Sequence, residues 1–325
     1  MRVVITGAAG FIGSRFSELF VARAEELGYE EIILLDALTY SGRRENLVNV
    51  LSDSRVTFLE GSIIDASTTD EVLRGAHAVV HFAAESHVDR SITGARIFFE
   101  TNVLGTQQLL ESARRHDVAR FVHVSTDEVY GSIAKGSWRE DHILEPNSPY
   151  SASKAGSDLA ALAYHRTYGL AVMVTRCSNN YGPRQFPEKV IPLFVTNLMD
   201  GLTVPLYGDG MNVRDWLHVD DHCRGVMLVL ERGRAGEIYN IGGGTELTNR
   251  DLTTRLLELN GTNESMIQLV DDRLGHDQRY SVDWTKIRDE LGYWPEVEFD
   301  EGLASTVRWY HENEPWWRPL KVQSS

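Results

Sequence analysis

Tyr150 and Lys154 stand in Pro149-Tyr150-Ser151-Ala152-Ser153-Lys154, at the start of a stretch patterned as a long helix. That spacing is about one helical turn, so the phenol and the ammonium share a face. An ammonium beside a phenol favours the phenolate, and a phenol lowered in this way is a general base for an alcohol proton. The second reactive pair is Asp127 and Glu128, which with Thr126 follow the strand-like run 121–125. Two adjacent carboxyls in a partly closed site do not both ionise comfortably. One pKa rises, which gives an acid and a base at the same pH. The two pairs are complementary. Oxidising an alcohol to a ketone acidifies the neighbouring C–H. A carboxylate can then remove that proton while a carboxylic acid expels water one carbon further on. A redox cofactor serving such a sequence is restored at its end.

A third pattern points to that cofactor. Gly7-Ala8-Ala9-Gly10-Phe11-Ile12-Gly13 directly follows a strand-like run and opens a helical one. Glycines permit a tight turn and close approach of a pyrophosphate, and a helix N-terminus offers free N–H groups and a positive dipole end. Asp36 ends the second strand-like run, where a carboxylate accepts from ribose hydroxyls and repels a 2′-phosphate. NAD is favoured, and Arg43 and Arg44 a little downstream leave NADP open.

The elements that must position these groups are legible as alternation. Runs 2–5, 32–35, 56–59, 78–82, 121–125 and 172–176 read as strands, and 12–27, 95–115 and 151–168 as amphipathic helices. Strand, helix, strand at this spacing predicts an α/β fold of Rossmann type, a doubly wound parallel sheet with both faces covered. Ligands of such sheets sit outside the carboxyl ends of the strands, where Thr126, Asp127 and Glu128 fall. After Arg176 the texture changes: Pro183, Pro187, Pro192 and Pro205 punctuate the chain, and glycines cluster at 208–210 and 242–244. The expectation is an NAD-binding domain over 1–178, rejoined by about 217–241. A smaller C-terminal α/β lobe over 179–216 and 242–325 would supply a ligand site.

Over essentially its whole length the chain resembles the extended short-chain dehydrogenase/reductases, and within them the dTDP-glucose 4,6-dehydratases. The resemblance is carried by the glycine loop 7–13 and by His81-Phe82-Ala83-Ala84-Glu85-Ser86-His87-Val88-Asp89-Arg90-Ser91. It is carried also by Ser125-Thr126-Asp127-Glu128-Val129-Tyr130-Gly131 and by the Tyr150/Lys154 pair. It implies a hydro-lyase that turns dTDP-glucose into dTDP-4-keto-6-deoxyglucose on tightly bound NAD, regenerated each turnover, and it implies a homodimer. The roles it implies are Tyr150 as base at the C4 hydroxyl, with Lys154 tuning it and holding the nicotinamide ribose. Glu128 would take the C5 proton, Asp127 protonate the departing C6 hydroxyl, and Thr126 hydrogen-bond the C4 oxygen. With Tyr150 and Lys154, NAD would meet Gly7, Gly10, Phe11, Ile12, Gly13, Asp36, Leu38, Thr39, Ser62, Ile63, Phe82, Ala83, Ala84, Ser86, Thr101 and Asn180. Ser86 and Asn179, the latter closing the sixth strand, would lie near the sugar and first phosphate. Lys189, Val190, Arg214 and Asn249 would meet the diphosphate or nucleoside, Pro205 and Tyr207 the base, with Arg273, His276 and Tyr280 completing the substrate site. One position departs from the family: Ser62 follows Gly61 where an Asp is usual, and Asp65 comes three residues late.

Composition bounds the alternatives. The chain has 325 residues, is 42% apolar and carries a net charge of −15, with only five lysines and no basic block. That argues against nucleic acid or an anionic membrane as partner, though not against an acidic small molecule met by a few local cations. No apolar run approaches a membrane span, and no leader or lipidation motif stands at either end, so a cytoplasmic location is expected. Cys177 and Cys223 cannot form a disulfide framework or zinc cluster and read as small buried hydrophobes. His81, His87 and His123 lack ligand spacing and read as core or loop hydrogen-bonding groups, with no metal expected. Two other readings remain open. A UDP-glucose 4-epimerase shares the glycine loop and the Tyr/Lys pair without needing Asp127 and Glu128. A non-catalytic NAD sensor of the same fold would have little use for either pair.

Overall fold

A computed structural model describes residues 1–321. Seven strands form one parallel sheet: β1 (Arg2–Thr6), β2 (Glu31–Asp36), β3 (Val56–Glu60), β4 (Ala78–His81), β5 (Arg120–Thr126), β6 (Val172–Cys177) and, far along the chain, Ile238–Ile241. The last of these pairs with β6, and the spatial order runs β3-β2-β1-β4-β5-β6 to that strand. β1 has β2 on one side and β4 on the other, so strand addition reverses there and leaves a crevice at the carboxyl ends.

The strands are apolar on both faces because helices cover both. Val3 and Ile5 point into one core with Phe16 and Phe20 of helix Phe11–Arg23 and Val226 of helix Val219–Arg232. Val4, between them, points into the other with Leu109 and Leu110 of helix Thr106–Arg115 and Ala161 of helix Pro149–Tyr168. The period-two alternation of a strand divides consecutive β-branched residues between the two layers.

Beyond β6 the chain builds two small sheets, continuing the numbering with β7 (Asn179–Tyr181), β8 (Val204–Tyr207), β9 (Val213–His218), β10 (the returning Ile238–Ile241), β11 (Thr245–Thr248) and β12 (Ile267–Val270). β9 lies between β7 and β11, and β8 pairs with β12. Their core joins Tyr181, Phe194, Trp216, Leu256, Phe299 and Trp317.

Three local expectations are corrected. The helix expected over 95–115 is broken: Arg96–Phe99 leads into a π-helical segment Glu100–Gly105 before helix Thr106–Arg115. Asn102 sits within it, fully buried, accepting from Glu85 N at 2.8 Å and donating to Glu85 O at 3.0 Å and Ser153 Oγ at 2.9 Å. The widened turn carries this amide into the core and Thr101 to the crevice. The first helix ends at Arg23, not near residue 27. Asn179 does not close β6 but opens β7 in another sheet, after Ser178 leaves to donate a 2.5 Å hydrogen bond to Asp215.

Candidate active site

A cavity of ≈ 430 Å³ lies along the carboxyl ends of β1, β2, β4, β5 and β6. At one end the glycine loop turns from β1 into its helix. Gly7 has φ +66°, and a Cβ there would lie 2.6 Å from Ala83 N; one on Gly13 would lie 2.1 Å from Gly7 O. Only bare backbone packs this closely. Gly10 caps the helix without a side-chain hydrogen bond, and no acidic residue occupies the first turn. The N–H groups of that turn therefore face the cavity without a carboxylate competing for them. Asp36 lines the next stretch of wall, one carboxylate oxygen accepting from Ala9 N and the other from Leu38 N, both at 2.8 Å. Burial raises its pKa against those two bonds.

Ser62 also lines the wall, and its Oγ accepts from Ile64 N at 3.2 Å. Asp65 is turned elsewhere. It caps helix Ala66–Leu73, accepting from Ser67 N at 3.0 Å and from Thr68 Oγ1 at 2.7 Å.

Thr126, Asp127, Glu128, Tyr150 and Lys154 meet at the other end of the same cavity. β5 ends at Thr126 and a 3₁₀ turn, Asp127–Tyr130, follows, with Glu128 N donating to Thr126 Oγ1 at 3.2 Å. Tyr150 sits in the first turn of helix Pro149–Tyr168, whose start is fixed by a Ser148/Ser151 capping box and Pro149. Burial pushes the Asp127 carboxyl well up, and Glu128 and Asp215 push it further against Arg214. Burial also raises Glu128, but Arg273, Arg214 and Lys189 all oppose it. The environment thus favours a proton on Asp127 over one on Glu128.

The Tyr/Lys pair departs from expectation. Burial drives the Tyr150 phenol well up, with Glu128 adding to it, instead of lowering it. Lys154 is buried, its pKa is lowered by that burial, and its Nζ donates to Val124 O at 2.8 Å. Shared helical face is present; desolvation outweighs it.

The cavity wall holds Gly7, Gly10, Phe11, Ile12, Gly13, Asp36, Thr39, Ser62, Ile63, Phe82, Ala83, Ala84, Ser86, Thr101, Asn179, Asn180 and Lys189. Leu38 is absent from the wall and contributes its N–H to Asp36. Val190, Pro205, Tyr207, Arg214, Asn249, Arg273, His276 and Tyr280 are not in it either. Arg214 and Arg273 act on the acid pair through charge, and Tyr280, a phenol kept neutral by burial, lies with its ring centre 4.3 Å from the Arg214 guanidinium. Tyr207 meets His276 edge to face at 6.1 Å, Pro205 lies in β8, and Val190 and Asn249 each begin a helix.

Sequence reasoning passed over a clasp beside Lys189. Glu188, 6% exposed, pairs with Arg90 at 3.0 Å, and Arg90 lies 3.9 Å over the Tyr40 ring. Lys189 Nζ donates to Ser86 O at 2.8 Å, joining the same segments. Arg90 lies in the 81–91 motif and Glu188 beside Lys189. Neither was separable from surface charge without the fold. Cys177 is buried but also lines the cavity, with Sγ 3.4 Å from Ser125 O.

This fold and this crevice define an extended short-chain dehydrogenase/reductase. More narrowly, the chain belongs to the family described as GDP-mannose 4,6 dehydratase, whose model matches residues 4–306. It is 61% identical over 324 residues to the dTDP-glucose 4,6-dehydratase of Streptomyces antibioticus, spanning 99% of this chain and 96% of that one. Among solved structures, the dTDP-glucose 4,6-dehydratase DesIV of Streptomyces venezuelae, with NAD bound, is 63% identical at a TM-score of 0.97. That match spans 98% of this chain and 100% of that one. The UDP-glucose 4-epimerase of Thermus thermophilus, also with NAD, shares the fold at a TM-score of 0.87 with 33% identity, spanning 96% and 100%.

Proposed function

We propose that the chain is an NAD-dependent dTDP-glucose 4,6-dehydratase. The observation that carries the reading is the carboxyl pair at the end of β5. An epimerase needs only the alcohol-oxidising pair, but here Asp127 and Glu128 share the crevice with Tyr150 and Lys154 and sit in environments that sort them into acid and base. High identity to curated dTDP-glucose 4,6-dehydratases supports the same substrate.

The residues present fit NAD: an uncapped helix start for the pyrophosphate, a cradle that a Cβ would fill, and a lining carboxylate for the ribose. The chemistry that bound NAD supplies is uptake of the C4 hydrogen with its electron pair and its return at C6. Tyr150 takes the C4 hydroxyl proton, and Lys154 holds the ribose side and supplies positive charge. Thr126 donates to the C4 oxygen. Glu128 removes the C5 proton, made acidic by the C4 ketone, and Asp127 protonates the C6 hydroxyl as it leaves as water. Glu128 then returns its proton to C5 as hydrogen is restored at C6, and the proton taken from the C4 hydroxyl by Tyr150 makes good the one Asp127 gave up. Lys189 and Arg214, with Arg273 near the acid pair, give the diphosphate side its cations, and residues 179–216 and 242–325, the last four outside the described residues, are read as the lobe that receives it.

The reading includes a cytoplasmic homodimer with neither nucleic acid nor membrane as partner. A two-fold pairing is supported by apolar side chains left in solvent on adjacent helical segments: Ile97, Phe99 and Leu104 on one, Leu159 and Tyr168 on the other, each 44–58% exposed. The test is incubation with dTDP-glucose followed by mass analysis. Loss of one water is expected. An unchanged mass with C4 inverted would make the chain an epimerase, and no reaction would point to a sensor.

A further inference from the structure

Beneath the crevice a row of buried polar side chains crosses the large sheet, and none of the steps above uses it. Thr6 on β1, His81 on β4 and His123 on β5 are register partners, so their side chains stand on one face. Thr6 Oγ1 lies 2.7 Å from His81 Nδ1, Thr106 Oγ1 lies 2.9 Å from His81 Nε2, and the two imidazoles are 5.3 Å apart. Asp158, from helix Pro149–Tyr168, closes the row. Its Oδ1 is 3.3 Å from His123 Nε2, and its Oδ2 accepts a 2.9 Å hydrogen bond from Arg176 Nε on β6. His123 and Asp158 have no exposure to solvent, and Arg176 has 2%.

A fully buried ion pair adds little stability that well-packed apolar side chains would not. Its placement suggests another use. Asp158 follows Lys154 by about one helical turn, on the same face. Lys154 is itself buried and, among the described residues, donates to one acceptor, Val124 O. Burial lowers the pKa of such an ammonium, and Asp158 is the carboxylate that opposes this. The other titratable groups around the two are accounted for. His81 on β4 and His123 on β5 are held neutral by burial and by Lys154 itself, and Arg176 on β6 stays charged beside Asp158. Cys177 on β6 and Tyr150 on the same helix are held in their protonated forms by burial, as is Asp127 after β5.

We propose that Asp158, held by Arg176, is a positioning residue of the reaction: from one helical turn away it keeps Lys154 charged beside Val124 O and the cavity. The proposal rests on the dehydratase reading, in which Tyr150 and Lys154 work as a pair.

The test uses the NAD-loaded protein labelled with [¹³Cε]lysine. Only five lysines contribute, and the Lys154 signal is assigned by its loss in Lys154→Arg. In Asp158→Asn the Lys154 titration midpoint falls by about one pH unit or more. At pH values above the lowered midpoint kcat on dTDP-glucose falls relative to the wild type, while KM stays within about twofold. Asp158→Glu keeps the charge and holds the midpoint near that of the wild type. If Asp158→Asn does not fold, Asp158→Asn/Arg176→Gln removes both buried charges together and carries the same expectation for Lys154. A midpoint that stays in place in either folded variant overturns the proposal. A wild type that leaves dTDP-glucose unchanged while the midpoint still falls in the variant supports the positioning role and refutes the substrate.

Discussion

Asp127 and Glu128 are neighbours in sequence with different surroundings, and the difference sets a sign for pH. Glu128 must be ionised to act as base. Its pKa is raised above the usual 4.5, so kcat falls as pH drops through that raised value, and the acid limb lies above 4.5. Asp127 must keep its proton. Burial and two carboxylate neighbours raise it well above 3.8, so its contribution is complete at low pH and lost as pH rises through the raised value. A bell-shaped kcat profile is expected, measured on dTDP-glucose between pH 5 and 10 (a range set by the titrations at issue). Glu128→Gln retains NAD but lowers kcat by about 10²–10⁴-fold and abolishes exchange of the C5 proton with solvent. Persistent exchange in that variant would take the base role away from Glu128.

At the scale of elements, Asp65 gives the cleanest separation of support from chemistry. Its side chain caps helix Ala66–Leu73 and reaches no part of the crevice wall. Asp65→Ala is expected to lower the urea midpoint through loss of the helix cap, with NAD content and KM unchanged. A loss of NAD in that variant would show that Asp65 replaces the Asp missing at position 62. The same contrast shows what a sequence can reveal. The strands were legible because a sheet covered on both faces demands β-branched runs, and the glycine loop because tight packing tolerates no Cβ. The Tyr150 and Asp127 pairs were legible from local spacing alone. The π-helical segment was not, because it is set by Asn102 reaching Glu85 and Ser153, contacts far apart along the chain. The Glu188–Arg90–Tyr40 clasp and the end of β6 at Cys177 were hidden for the same reason. The direction of the Tyr150 shift was misread because spacing shows a neighbouring charge but not the depth of burial.

For the whole molecule, a net charge of −15 describes the outside, while the positive groups that matter are Lys154, Lys189, Arg214 and Arg273 around one crevice. The apolar side chains of Leu104 and Leu159 remain in solvent, each 58% exposed. Leu104→Glu/Leu159→Glu is expected to convert a two-chain species to a single chain by sedimentation, without loss of the folded far-UV spectrum. A wild type that sediments as a single chain would remove the dimer from the reading. That one crevice oxidises, eliminates and reduces without releasing the sugar between steps is tested most directly with dTDP-glucose carrying deuterium at C4. A product one water lighter is expected, with the deuterium recovered at C6 of the same molecule; deuterium lost to solvent, or retained at C4, would rule out a retained hydride.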